Sequence, residues 1–588
     1  MKLGLVRVSL LTAATVMLVG CAVDASLKET SLKIIRDGAK SGPVDYYDRA
    51  STIGINGEPN QLRYEDVGGN SKLILANLVT GSQIDIGKDS PPNAKLSFAI
   101  IRSDGANVYV LWRPKLASDI AGVGAAGDKF IYMKTSNDGG KTFGGPKVLN
   151  NSNGAFMPQI ATSSMRNVYV AWVDEREGAK FDIYLNSSND GGMSWLKEDM
   201  RMDSGEHSIS SINPTLVADG QNAWLGWMDG DRDISLYVRS TSDAGKTWTS
   251  RVTALESKQA PIKPTLLRIK GQLLYYWYTA EGLQGVRSRD DGKSWEKMLV
   301  VPDTRGMIDM AIASDSAGRI HVAIGRKGEK QEDDKENIFY AYSDDGIIFS
   351  PQQKLSSSPA FKSTATLPEI AVNDAGQVVV VWQDHKYLRA NVNANVSGDS
   401  GKTWLGQDLS LSDRTGSNFG IYPSITSLGA KMAVTWTEYD NSTLTTGRTA
   451  SRIIDPSLPI VEAPILPVDI GKLKTQVEGY WNSRIKSDWA ESYSYMDPYF
   501  RDTSTKAEYV KGQGIFTYYA YKPINQMVDG RRAKVTLKYT FELPATMLAG
   551  KKIVVPRTEE EIIQDWIWID NNWYLINKNM MGHDNIVF

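Results

Sequence analysis

The sequence predicts a mainly β protein built from radially repeated four-stranded sheets, with a smaller α+β domain at its C-terminal end. Three observations carry this. A hydrophobic strand motif recurs seven times between residues 95 and 455, closing on tryptophan in six. A turn motif built on Ser-x-Asp-x-Gly recurs six times, interleaved with the first. Beyond a proline-dense stretch the texture changes to helical periodicity and then to strand-like runs. At 588 residues the chain also exceeds one compact core, so two or more domains are expected.

The strand motif reads NVYVLW (107–112), NVYVAW (167–172), NAWLGW (222–227), QLLYYW (272–277), RIHVAI (319–324), QVVVVW (377–382) and KMAVTW (431–436). The copies lie 47 to 60 residues apart, and the fifth lacks its Trp. Each follows another short apolar run and a turn, as in PEIAVNDAGQVVVVW, which reads as a hairpin. The runs are apolar on both faces, as strands buried between stacked sheets must be. Seven hairpins predict seven sheets, with six as the alternative. The last repeat lacks a fourth strand, and residues 71–87 are expected to supply it and close the ring. The repeat domain is thereby placed at 66–455, and residues 21–65 read as a polar tether.

The turn motif reads SNDGGKTF (136–143), SNDGGMSW (188–195), TSDAGKTW (241–248), SRDDGKSW (288–295), YSDDGIIF (342–349) and SGDSGKTW (397–404). Its logic is local. The Asp accepts backbone N–H bonds inside a tight turn, the Gly takes a positive φ, and the aromatic packs beneath. Six copies at a near-constant period resemble the Asp-box, or BNR, repeats of sialidases and related β-propellers. The resemblance implies that each box joins the third and fourth strands of a blade, on the face away from any ligand. Asp138, Asp190, Asp243, Asp290, Asp344 and Asp399 are accordingly expected to be structural.

Pro456, Pro459, Pro464 and Pro467 make 456–468 a stiff linker. Leu473, Val477, Tyr480, Trp481, Ile485 and Trp489 then recur at three- and four-residue steps, predicting a helix over 469–496 that Asp497-Pro498 stops. Strand-like runs follow. The stretch YWNSRIKSDWAESYSYMDPYFR resembles the opening of NTF2-like domains, which implies a cone-shaped α+β domain over 469–588. Tyr493, Tyr495, Trp566 and Trp568 either line a pocket there or, as such spacing more often means, fill the core.

Cys21 is the single cysteine, so neither an internal disulfide nor a cysteine metal site is available. Lys2 and Arg7 precede an apolar run, Val8 to Val19, that is short for a membrane span. The run ends in Leu18-Val19-Gly20-Cys21, which resembles a bacterial lipobox. That resemblance implies removal of residues 1–20 and a diacylglycerol on Cys21, each buried CH₂ adding about 0.8 kcal/mol of membrane affinity. Ala22 after the cysteine resembles the enterobacterial outer-membrane sorting pattern. A plain secretory signal with a chance cysteine is the competing reading.

Lys plus Arg number 66 against 68 Asp plus Glu, a balance that gives no electrostatic case for nucleic acid, whose binding needs a concentrated basic patch. Neither a P-loop nor a Rossmann fingerprint occurs, and none of the four histidines stands beside a candidate nucleophile, so no cofactor is expected. Asp229-Gly230-Asp231-Arg232-Asp233 suggests a calcium loop, but Ile234 and Ser240 stand where an EF-hand needs Gly and Glu. No metal is expected.

The propeller resemblance puts the ligand face at the loops after the Trp strands: WVDER (172–176), WMDGDRD (227–233), WQDHK (382–386) and WTEYD (436–440). Asp174, Arg176, Asp229, Arg232, Asp384, His385 and Glu438 are the candidate rim for a glycan or an envelope protein. Recurrence around a ring is what a structural role predicts, so Asp174, Asp229 and Asp384 read as structural first, and the less regular Arg176 and Arg232 are the better contact candidates. Sialidases, by the same resemblance, hold a substrate carboxylate with three arginines and use a Tyr nucleophile activated by Glu. Arg176, Arg232, Tyr422 and Glu281 are the weak candidates here. The Phe/Tyr-Arg-Ile-Pro motif of that family is missing, LRYED (62–66) and WRPK (112–115) being poor substitutes. A lipid-anchored binding or scaffold module is therefore the favoured expectation. A sialidase-like hydrolase and a structural envelope subunit are the alternatives.

Overall fold

Strands apolar on both faces are stable only when sheets cover them on both sides, and radial stacking does this without long crossovers. A computed structural model describes residues 35–577 apart from 42–48, 116–128, 328–335, 459–467 and shorter stretches between strands, among them 231–233. The signal segment, Cys21, Arg232 and most of the proline-rich linker lie outside the described residues.

Between residues 35 and 454 the strands form eight four-stranded antiparallel sheets, here blades one to eight. They span 51–85, 95–148, 155–201, 211–257, 262–298, 307–354, 365–410 and 419–454. The first strand of each blade packs on that of the next. Phe419–Leu428 of blade eight packs on Ser51–Ile55 of blade one, closing the ring. The expected count of seven, or six, is corrected to eight. Blade one has neither a Trp-closed strand nor a Ser-x-Asp-x-Gly turn, so the repeat template passes over it. Its last turn is tied instead by Asn77, whose Oδ1 accepts from the N–H groups of Val79 and Thr80, both at 2.9 Å. Its second strand buries Arg63 against Glu65 and Gln61, a polar interior that a hydrophobic template does not register.

The closing strand also differs from expectation. Residues 71–87 build the outer part of blade one itself. Ile35–Ser41 completes blade eight, with Ile35 opposite Ser451 and Asp37 opposite Thr449. The expected tether at 21–65 is thus corrected: much of it is structured and belongs to the ring.

The Trp-closed strands form the core between blades. Trp112, Trp172, Trp277, Trp382 and Trp436 are all fully buried. Trp172 packs with Tyr109, Leu111 and Met133 of blade two.

The boxes fold as their chemistry dictates. In blade four the Thr241 hydroxyl donates to Asp243 at 2.8 Å, and the Thr247 N–H and hydroxyl donate at 2.9 and 2.6 Å. The Thr247 hydroxyl, with its N–H and Thr241, holds Asp243 down to about 2, and the hydroxyls of Ser294 and Ser288 do the same for Asp290. In the fifth box the turn residue is corrected from Asp344 to Asp345. That box is one residue shorter, so Ser343 donates to Asp345 at 2.9 Å while Asp344 pairs with Arg319 at 2.6 Å. A carboxylate held below its ordinary value of 3.8 stabilises the fold fully above that pH and loses the contribution as pH falls towards 2. Tryptophan fluorescence is expected to stay native down to about pH 4 and to change between there and about pH 2. A transition complete above pH 5 overturns the assignment to the boxes.

The C-terminal domain places helices before a sheet. Asp469 caps α1 (Ile470–Ile485) by accepting from the Lys472 N–H. The single helix expected over 469–496 stops early, because Ser487 turns to φ 57° and Asp488 caps a new helix, α2 (Trp489–Ser492). Then come α3 (Pro498–Thr503), capped by Asp497, and α4 (Lys506–Lys511), with a complete Thr505/Glu508 capping box. A four-stranded antiparallel sheet follows in chain order, Thr517–Asp529, Arg532–Leu548, Lys551–Ile569 and Asn572–Leu575. Trp566, Trp568 and Trp573 pack with Leu473, Val477 and Trp481 in its core. Trp566 and Trp568 thus fill the core, and Tyr493 and Tyr495 pack against it.

Candidate functional site

The ring has two unlike faces. The boxes adjoin the turns between first and second strands, with Gly191 N–H donating to Arg166 O and Ala244 N–H to Gln221 O, both at 2.9 Å. The Trp strands run away from that face and end on the other, where the strands entering each blade also begin.

A ring of strained residues surrounds the axis near that second face. In six blades the first strand breaks register on a non-glycine residue in the left-handed region. These are Phe98 (φ 52°), Met157 (49°), Asn213 (55°), Lys263 (54°), Leu367 (51°) and Tyr422 (57°). Five of them precede a proline, which cannot donate to a ladder and so suits a bulge. Each such residue costs about 1–3 kcal/mol and persists only where surrounding structure enforces it. Phe98, Met157, Asn213 and Lys263 line a cavity of about 580 Å³ with Arg49. Arg49 bonds Glu369 of blade seven at 2.8 Å, and Lys263 bonds Asp309 of blade six at 2.9 Å. The sequence signal for this ring was present in FMPQI, INPTL, IKPTL, TLPEI and IYPSI, a third repeat beside the other two.

The predicted rim residues lie elsewhere, inside the blades. Asp174 accepts from the Trp172 indole N–H at 2.9 Å and from the Arg176 guanidinium at 2.7 Å. Arg176 reaches Asp199 at 2.7 Å as well, and stacks 3.8 Å from the Tyr184 ring. Both carboxylates are fully buried. Blade seven repeats the lock: Asp384 accepts from Trp382 at 3.2 Å and from the Lys386 N–H at 2.8 Å, and Lys386 Nζ bonds Asp408 at 2.6 Å. Asp229 is held by Ser211 at 2.6 Å and Arg251 at 3.3 Å, and Glu438 by Arg448 at 3.0 Å. Burial raises the pKa of Asp229 and Asp384. His385 is buried with Nε2 3.0 Å from the Gln383 amide. These side chains join strands; they do not face an open rim.

Among the described residues, which do not include Arg232, the sialidase-type set does not assemble. Arg176 is committed to two carboxylates. Tyr422 is a bulge residue of blade eight whose N–H donates to Gln383 at 3.2 Å. Glu281 belongs to the loop of blade five and accepts from Gln259 at 2.9 Å, so it is not the partner of Tyr422. Among the described residues no group of three or more His, Cys, Asp or Glu is placed to hold a metal. No helix among them is long and apolar enough to cross a membrane.

The second face also carries the C-terminal domain. Arg389, at the tip of the blade-seven hairpin, is buried between the rings of Tyr499 (3.8 Å) and Phe419 (5.5 Å) and bonds Asp502 at 3.1 Å. Arg531 lies 4.3 Å from the Tyr387 ring. No sequence pattern announces this seam, because its partners are more than a hundred residues apart.

Residues 167–434 match the family model described as a BNR repeat-like domain. No curated protein matches the chain. Among solved structures, the chain is similar to a protein of unknown function from Dyadobacter fermentans, at 14% identity over 52% of this chain and 96% of that one, TM-score 0.32. It is similar to a mutant of NanB sialidase from Streptococcus pneumoniae, at 10% identity over 73% and 98%, TM-score 0.32. It is also similar to an α-L-arabinanase from Penicillium chrysogenum complexed with arabinobiose, at 14% identity over 52% and 94%, TM-score 0.32. At such identities no activity carries across.

Proposed function

We propose that this sialidase-like BNR-repeat β-propeller is a binding module that presents its axial cavity to a glycan, without hydrolysing it. The observation that carries the reading is the strained ring at Phe98, Met157, Asn213 and Lys263, set around a cavity of about 580 Å³. An aromatic face, an amide and charged groups converge there, which is what stacking on a sugar and bonding its hydroxyls require. Among the described residues, Arg176 is meanwhile tied to two carboxylates and Glu281 to Gln259.

The test pairs two assays on the full chain. A glycan array is expected to show binding that Phe98→Ala and Asn213→Ala each weaken at least tenfold, with no fluorophore released from a fluorogenic sialoside. Turnover that Tyr422→Phe abolishes sinks the binding reading and favours the hydrolase. Absence of any glycan signal, together with a stoichiometric envelope partner on purification, favours the structural-subunit reading.

The module is held in the bacterial envelope, on this reading, by a lipid on Cys21, at the outer membrane, with an NTF2-like C-terminal domain beside the propeller. The Leu18-Val19-Gly20-Cys21 string supports the anchor. Labelled palmitate is expected to enter the protein and to be lost on Cys21→Ser, which moves the protein from the membrane to the soluble fraction. Equal membrane retention of both proteins excludes the anchor.

A further inference from the structure

The lock that joins strands in blades three and seven has a counterpart in blade five, where its charges are exchanged. Register aligns the three. Trp172 stands opposite Tyr184, Trp382 opposite Asn393 and Trp277 opposite Gln284. Two residues beyond each Trp come Asp174, Asp384 and Thr279. Four residues beyond come Arg176, Lys386 and Glu281. On the outer strand, Met200, Leu409 and Met298 occupy equivalent pairs, so Asp199, Asp408 and Lys297 correspond. An Asp–cation–Asp lock has become Thr279–Glu281–Lys297.

The exchanged lock does not close. Among the described residues no ion pair joins Glu281 to Lys297, and Glu281 turns to Gln259 instead. Thr279 Oγ1 accepts from the Glu281 N–H at 3.1 Å and the Gln284 amide at 3.3 Å, leaving nothing for the indole. Trp277 is 1% exposed and its Nε1–H has no partner, where Trp172 and Trp382 each bond an aspartate. The Trp227 and Trp436 indoles also lack a close partner, but Asp229 stands beside the first, and Gly420 packs against the second so closely that a Cβ there would come within 3.1 Å of Nε1. Trp277 instead lines a cavity of about 430 Å³ that opens where the lock would sit.

We propose that this groove on blade five is a second ligand site, which takes a neutral sugar unit. Its floor is apolar, formed by Trp277, Leu283 and Met298. Its rim sets Glu256, Glu281 and Asp303 against Lys297 and Arg305. That surplus of carboxylates disfavours an anionic ligand, while vicinal hydroxyls serve both signs of charge and a ring or hydroxyl oxygen accepts from the indole. The volume suits one or two sugar rings. The site is separate from the axial cavity and does not depend on the reading given to that cavity.

The experiment uses the full chain labelled with 5-fluorotryptophan, titrated with glucose, galactose, N-acetylglucosamine and their β-1,4-linked disaccharides. At least one sugar is expected to shift, saturably, the fluorine resonance that is missing in Trp277→Phe, and that variant is expected to bind it about tenfold more weakly. Rebuilding the lock with Thr279→Asp, Glu281→Arg and Lys297→Asp together is expected to fill the groove and abolish the shift. If the rebuilt variant does not fold, Trp277→Phe decides alone. The proposal is overturned if no sugar in the panel shifts that resonance, if the folded rebuilt variant binds like the parent, or if Trp277→Phe leaves affinity unchanged.

Discussion

Arg176→Met is expected to destabilise the propeller by about 3–5 kcal/mol, the loss typical when one partner of a buried charge cluster is removed. The guanidinium bonds Asp174 and Asp199 at 2.7 Å each, and both carboxylates are fully buried. Methionine fills much of the space but leaves two buried carboxylates facing each other without a cation. Stacking on Tyr184 is lost as well. The measurement is the urea midpoint of the propeller transition, with an unchanged slope showing that stability and not compactness has moved. This substitution also separates two meanings of the residue. A ligand contact costs affinity and spares stability; a lock costs stability. A midpoint within experimental error of the parent, together with weakened glycan binding, returns Arg176 to the ligand face.

Arg389→Ala is expected to undock the C-terminal domain while the propeller stays folded. The guanidinium gives up two aromatic faces and an ion pair with Asp502. A desolvated cation–π contact is worth about 2 kcal/mol. Alanine at this tip leaves Tyr499 against empty space. Limited proteolysis within 456–468 should accelerate at least tenfold, and the radius of gyration in solution should rise. Identical digestion and scattering by parent and variant would show that Arg389 does not hold the domains together.

Much of the architecture was legible because two kinds of local physics repeat. A doubly buried strand must be apolar on both faces, and a box turn needs Asp, a small hydroxyl and glycine at fixed spacing. Neither constraint applies to blade one, where Asn77 ties the turn and Arg63 sits in the interior, so that blade stayed hidden. The fifth box is ambiguous in sequence because Asp344 keeps the spacing to Gly346 while Asp345 keeps the spacing to Ser343, and only the shortened turn selects Asp345. The Met-Pro, Asn-Pro, Lys-Pro, Leu-Pro and Tyr-Pro pairs were readable as a third repeat, yet their meaning lies in φ and strand register, which composition does not display. Among the rim residues, Asp174, Asp229 and Asp384 take the structural role that recurrence predicts, while Arg176, the better contact candidate, is tied to two buried carboxylates. An aspartate two positions after a Trp looks the same whether its carboxylate meets solvent or an indole N–H. The altered lock of blade five needs Lys297 set beside Glu281, and only strand pairing brings them into one comparison.

Ring closure by Ile35–Ser41 has a mechanical consequence. The strand that latches blade eight begins only 14 residues beyond Cys21. With the lipid on that cysteine as proposed, the longest possible leash is about 49 Å, at roughly 3.5 Å per residue. Any tug between the membrane and a ligand gripped by the propeller therefore arrives first at the latch. There it is resisted by the hydrogen bonds between Ile35–Ser41 and Gly447–Ile454, the one joint in the circle that is not continuous chain. The load path runs through the clasp of the ring, so the clasp, and not the blades, sets how much force the anchored molecule bears.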